Sequence, residues 1–377
     1  MRKPRLGGLM KTPCFVIDEK ALLKNLQTLA GVKRRTGCKI LLAQKAFSCF
    51  KTYPLISRYL DGTTASGLYE ARLGREHFPG EVHVFSPAFK EEDFEALLSI
   101  ADEIVFNSNA QLRKYGERAV RAGLKVQLRV NPECSTQEHA IYDPCSPGSR
   151  MGVKAEDFDE SLLPLLDGLH MHTLCEQNSD ALAKTVQALE EKFGKYLSSL
   201  NSLNLGGGHH ITRPDYDIPL LERTITRLID KYGVTVYLEP GEAVVLNAGE
   251  LRATVLDVVQ NGIDIAILDA SAACHMPDVL EMPYRPPVLG SGLPGEKKHT
   301  YRLAGNTCLA GDVIGDYSFD KPLKAGDEIV FLDMALYTMV KTNTFNGTPL
   351  PDILYRKSSG EIALLNSFSY QDFKSRL

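Results

Sequence analysis

No apolar run in these 377 residues approaches the roughly 20 residues that a membrane-spanning helix needs. A strong charge of one sign is missing too. With 43 Lys and Arg against 47 Asp and Glu, the net charge is only −4, which gives no electrostatic reason to expect nucleic acid or an anionic membrane as a partner. The eight cysteines fall at irregular spacings with no C-x-x-C pair. That pattern favours reduced thiols in a cytoplasm over a disulfide framework. The basic opening, MRKPRLGGLMK, leads into no signal-peptide core and reads as a short disordered arm. Low-complexity segments are absent, and no repeat exceeds an alternation of short and long elements.

What is present suits a soluble chain with two cores: 44% of residues are hydrophobic and 24% charged. Eight short, buried-looking runs recur, at Ile40–Ala43, Thr63–Ala65, Val82–Phe85, Glu103–Phe106, Val126–Val130, Gly168–Met171, Leu203–Leu205 and Val234–Leu238. Helix-like stretches such as Glu70–Phe78, Glu91–Ile100, Asn109–Ala122, Ala181–Leu197 and Leu220–Tyr232 lie between them. Short buried strands separated by crossover-length helices are the pattern of parallel βα units, and eight of them predict a closed (β/α)8 TIM-type barrel.

Beyond about Glu250 the texture changes. LRATVLDVV, GIDIAILDA, KHTYRLA and DEIVFLDMALYTMV are β-rich and punctuated by proline and glycine. The expected organisation is an arm and a strand over residues 1–20 that joins a β domain, a barrel over 21–250, and a C-terminal β-sandwich or barrel-like domain over 251–377.

Barrel active sites lie at the C-terminal ends of the strands. Lys45 follows the first strand, HMHT with His172 the sixth, LNLGGGHH the seventh, and EPGE with Glu239 the eighth. Barrel closure makes the eighth strand a neighbour of the first, so Glu239 and Lys45 face one mouth. A lysine at the end of an apolar run is most simply a side chain that snorkels into water. Gly206, Gly207 and Gly208 are most simply a flexible loop. The histidine pairs His170/His172 and His209/His210 keep a metal site open, although alternation along a strand turns two of the four away. Taken together, however, a buried lysine, a phosphate-sized glycine cradle, a ring and a carboxylate match the needs of pyridoxal 5′-phosphate. The lysine would form the Schiff base, the glycines would hold the phosphate, and the carboxylate would keep the pyridine nitrogen protonated.

At this point the chain resembles the alanine-racemase-like, fold-type III family of pyridoxal phosphate decarboxylases, from about Thr12 nearly to the C-terminus. LLAQKAFS, DGTTASGLYEARLG, NPE with YDPCSPGSRMGV, GLHMHTLCEQ, LNLGGGHH, YLEPGEA, DASAACHMPD, GNTCLAGD and DMALYTMVKTNTFNG carry the resemblance. CEQ, EPGEA and ACHMPD point to the branch that acts on carboxynorspermidine and carboxyspermidine in polyamine biosynthesis. The resemblance implies that Lys45 carries the cofactor, that His172 stacks on its ring, and that Gly206, Gly207, Gly208 and Tyr337 bind its phosphate. It implies that Glu239 pairs with the ring nitrogen. Cys308 would return a proton after decarboxylation, reaching the site from the partner subunit of a head-to-tail homodimer.

Two positions depart from the wider family. Glu242 stands after EPG, where relatives acting on ornithine or diaminopimelate commonly have a phosphate-binding arginine, and Leu309 follows Cys308, where they have a substrate-reading acid. A polyamine substrate carries several ammonium groups, and Glu242, Asp278 and Asp312 are the candidate carboxylates for them. The alternatives are another basic amino-acid decarboxylase (diaminopimelate, ornithine or arginine), a non-catalytic pyridoxal phosphate carrier, and a metal-dependent hydrolase using the histidine pairs. The expected site holds no metal.

Overall fold

The first strand of the computed structural model, β1 (Cys14–Asp18), opens a chain whose residues 11–377 are described; all of the expected disordered arm MRKPRLGGLMK except Lys11 lies outside them. The chain divides into two units. One is Lys24–Val244, and the other combines the chain up to Leu23 with Val245–Leu377.

The Lys24–Val244 unit is the barrel. Its strands are β2 (Lys39–Ala43), β3 (Gly62–Ala65), β4 (Glu81–Phe85), β5 (Glu103–Phe106), β6 (Lys125–Arg129), β7 (Gly168–His170), β8 (Ser202–Asn204) and β9 (Thr235–Leu238). All pair in parallel with their sequence neighbours, and β9 closes on β2. Ile40, Leu41 and Leu42 are fully buried because a parallel strand packs on both faces. Burial of each such side chain stabilises by about 1.5–3 kcal/mol. Helices Leu68–His77, Glu91–Leu97, Asn109–Arg121, Ser179–Leu197 and Ile218–Tyr232 fill the connections. Their ends are set locally. Ser108 Oγ accepts the Gln111 N–H at the start of Asn109–Arg121, and Asp217 accepts the Leu220 N–H beside Pro219 at the start of Ile218–Tyr232. The latter helix ends at Gly233, whose φ of 72° favours glycine. Between β6 and β7 the described chain forms only 3-10 turns at Ala140–Tyr142, Ala155–Asp157 and Glu160–Leu165, a proline-rich stretch (Pro132, Pro144, Pro147, Pro164) in which a long helix cannot propagate.

The second unit is a mostly antiparallel sheet. It comprises β10 (Gly249–Asn261), β11 (Ile263–Leu268), β12 (His299–Ala304), β13 (Val313–Phe319), β14 (Glu328–Leu332), β15 (Asp352–Arg356) and β16 (Ile362–Asn366), together with β1. β1 lies antiparallel to β10 and parallel to β15. Phe15, Leu251, Leu268, Leu303, Tyr317 and Phe331 form its core. The β-rich run DEIVFLDMALYTMV forms a strand only as far as Leu332, because Asp333 and Tyr337 take left-handed backbone (φ 57° and 50°) that breaks the ladder.

Candidate active site

Two residues past β2, the Lys45 side chain is solvent-accessible, so the picture of a lysine sealed from water is corrected. Protein atoms nonetheless crowd around it. That crowding first, and the charge of Arg129 second, lower its pKa, which enriches the neutral, nucleophilic amine.

The glycine loop lies beyond β8. Gly208 has a φ of +80°, and a Cβ there would sit 2.0 Å from the Leu174 carbonyl oxygen, so no other residue fits. The loop's amides are not all free for a phosphate, as the expected cradle of three bare glycines would have them. The Gly206 N–H donates to Asn204 Oδ1 at 2.8 Å, and the Gly207 N–H donates to His172 Nδ1 at 3.0 Å. His172 can accept because it is neutral: burial, followed by the charges of Lys45 and Arg129, pushes its pKa well below the ordinary value.

Glu239, directly after β9, is buried between two donors. Asn204 Nδ2 donates to Oε1 at 2.9 Å and His170 Nε2 to Oε2 at 3.3 Å. Burial would raise the carboxyl's pKa, but these hydrogen bonds, together with the electrostatic pull of His170 and His83, outweigh it and keep Glu239 below the ordinary carboxylate range. Burial lowers His170, so it serves as a neutral donor; its ring stacks on Phe85 at 5.7 Å, with 8° between the planes. Arg129, the last residue of β6, donates from Nη2 to the His172 carbonyl at 3.0 Å and lies 4.6 Å from the Phe85 ring centre. Its burial pulls its pKa down to about 10. Arg129, Asn204 and the donor role of His170 were not foreseen. The one available signal was that polar residues end three successive buried strands.

Glu242 is also buried, and its Oε2 takes the His210 Nε2–H at 2.8 Å. Its expected turn towards a substrate therefore has a competitor inside the protein.

The remaining candidates belong to the β unit. Cys308 is exposed, and its N–H and S–H both lie 2.9 Å from Asn346 Oδ1. Tyr337 is half-buried on its left-handed backbone. Asp278 pairs with Lys341 at 2.5 Å, and Lys341 also meets Glu281 at 2.7 Å. Asp312 is buried with both oxygens engaged. Oδ1 accepts the Ala272 N–H (2.7 Å) and Oδ2 the Thr307 hydroxyl (2.7 Å). These bonds brace the Cys308 loop and give Asp312, like Glu242, partners inside the protein that compete with a substrate.

The barrel residues fit pyridoxal phosphate. They provide an accessible lysine of lowered pKa, a loop that side chains would fill, a neutral ring and an ionised buried carboxylate. A metal fits less well. Among the described residues no group of three or more His, Cys, Asp or Glu side chains could hold one, and His209 Nε2 lies 3.0 Å from the Gly206 carbonyl oxygen. Among them, too, no helix is long and apolar enough to cross a membrane.

Residues 14–335 match the family model described as "Pyridoxal-dependent decarboxylase, C-terminal sheet domain". The chain is 43% identical to a carboxynorspermidine/carboxyspermidine decarboxylase of Campylobacter jejuni, over 97% of this chain and 98% of that protein. It is 41% identical to a carboxyaminopropylagmatine decarboxylase of Synechocystis, over 100% of this chain and 98% of that protein. The crystal structure of the Campylobacter jejuni carboxynorspermidine decarboxylase complexed with norspermidine superposes with a TM-score of 0.92 at 42% identity, covering 98% of this chain and 100% of that one. By sequence, fold and site chemistry, the chain belongs to the pyridoxal-dependent decarboxylase family, with pyridoxal 5′-phosphate as its cofactor.

Proposed function

We propose that this enzyme decarboxylates carboxynorspermidine and carboxyspermidine to norspermidine and spermidine. The observation that carries the reading is full-length similarity to a relative whose structure holds norspermidine. Glu242 and Leu309, standing where relatives reading shorter amino acids carry an arginine and an acid, support it. The Synechocystis relative makes carboxyaminopropylagmatine a second substrate to test. The direct test is product formation from these three compounds beside ornithine, lysine, arginine and diaminopimelate. A preference of kcat/KM for any of the last four overturns the assignment. Eight free thiols support a reducing, cytoplasmic setting.

The residues take their roles from their surroundings. When bound, pyridoxal phosphate supplies a ring that accepts the electron pair left as carbon dioxide departs. Lys45, as a neutral amine, would hold the cofactor through its aldehyde carbon. Glu239 presents a fixed negative charge to a ring nitrogen. His172 presents a neutral ring face, and Gly208 an amide unobstructed by a side chain. Cys308 keeps its S–H on Asn346 and delivers that proton to the substrate α-carbon.

Cys308 serves the barrel mouth of a second copy in this reading, which makes the enzyme a head-to-tail homodimer. Mixing inactive Lys45→Ala chains with inactive Cys308→Ala chains then regenerates activity. Random exchange makes half the dimers mixed, each with one intact site of two, so recovery approaches roughly a quarter of wild type under C2 symmetry. No recovery, with exchange verified by mass spectrometry, puts both residues in one chain's site.

Glu242 is the acid proposed to meet a substrate ammonium, sharing its charge with His210. In Glu242→Gln, the amide oxygen can still accept from His210, but the charge-assisted bond to the substrate is gone. The expected result is a KM higher by about 10- to 100-fold, at about 1.4 kcal/mol per decade, with cofactor affinity undiminished. A collapse of cofactor affinity at constant KM assigns Glu242 to the cofactor instead.

A further inference from the structure

Asn204 closes β8 with its side chain fully buried, and that one amide touches both ends of the site. Oδ1 accepts the Gly206 N–H at 2.8 Å, while Nδ2 donates to Glu239 Oε1 at 2.9 Å. The Glu239 backbone N–H returns to the Gly206 carbonyl oxygen at 2.7 Å, which closes the ring of bonds. The amide's orientation is forced. A backbone N–H can only donate and an ionised carboxylate can only accept, so one planar group must offer one of each.

We propose that Asn204 is a positioning residue for the cofactor: it ties the glycine loop to the Glu239 carboxylate and fixes the span between the holders of the phosphate and of the ring nitrogen. The inference rests on the roles proposed above for the glycine loop, through Gly208, and for Glu239. No other common side chain reproduces it at this size. Aspartate has the same shape but no donor, so it would face Glu239 oxygen to oxygen at hydrogen-bond distance. Two carboxylates in that contact cannot both stay ionised, and a shared proton would cost Glu239 its fixed charge. His170 holds the other oxygen at 3.3 Å and cannot substitute for the tie, because it has no bond to the loop among those described.

The test compares Asn204→Asp, Glu239→Gln and the double variant, reading pyridoxal phosphate affinity by equilibrium dialysis as well as kcat. Asn204→Asp should bind the cofactor about 10- to 100-fold more weakly, the range that loss of a buried supporting partner produces. In the double variant the new side-chain amide at position 239 can donate to the new carboxylate at position 204, whose other oxygen still accepts from Gly206. The ring of bonds then re-forms with one donor reversed. Its cofactor affinity should return to within about threefold of Glu239→Gln alone, a shift of under 1 kcal/mol, while kcat stays low because the charge has moved. Rescue of this kind is not expected of a residue that merely fills space. Wild-type affinity in Asn204→Asp, or a double variant no better than it, overturns the proposal. Should Asn204→Asp fail to fold, the double variant against Glu239→Gln decides alone. If Glu239→Gln itself leaves kcat and affinity unchanged, the failure lies in the Glu239 assignment and not in Asn204.

Discussion

In Lys45→Ala, decarboxylation falls by at least about 10³-fold while the fold survives. The side chain is solvent-accessible, so its removal opens no cavity in the core. What disappears is the amine itself. Crowding and the Arg129 charge favour its neutral form, and no neighbouring group named at the barrel mouth can replace it. His172 holds the Gly207 N–H on its Nδ1, and Arg129 is engaged with the His172 carbonyl. The comparison is kcat and melting temperature of the variant against wild type. Appreciable turnover by a folded Lys45→Ala enzyme removes the lysine from the mechanism.

Glu239→Gln should lower kcat by about 10²- to 10³-fold, the scale on which a preorganised electrostatic partner acts. The substitution suits the purpose because the site can absorb it. The new amide oxygen accepts from Asn204 Nδ2 as Oε1 does now, and the new NH2 then faces His170. His170 Nδ1 has no hydrogen-bond partner among the described residues, so the imidazole can move its proton to Nδ1 and accept at Nε2. The protein therefore keeps its hydrogen bonds and loses only the charge. Near wild-type kcat would mean that another carboxylate meets the ring nitrogen.

The barrel was legible in the sequence because parallel strands buried on both faces leave continuous apolar runs, and because charged residues placed immediately after such runs, Lys45 and Glu239, stand out against them. Asn204 did not stand out. Its significance depends on Glu239, far along the chain, and an asparagine ahead of glycines reads as a turn residue. Arg129 was hidden within VQLRV as an ordinary strand residue. The acids were the least legible group. Asp278 and Asp312 differ only in what the fold brings to them: Lys341 for the first, and the Ala272 amide with the Thr307 hydroxyl for the second. Strands β13, β15 and β16 were missed as well. β15 and β16 are short and only partly buried, and half-burial blurs their apolar pattern.

The central claim is that the lysine at the end of β2 is where this chain holds its cofactor. Borohydride treatment of the holoenzyme fixes a lysine-bound cofactor irreversibly, and peptide mass spectrometry then locates it. The account predicts loss of the visible absorbance together with a single modified peptide carrying the pyridoxyl phosphate group on Lys45. Modification of any other lysine, with Lys45 unlabelled, would contradict it.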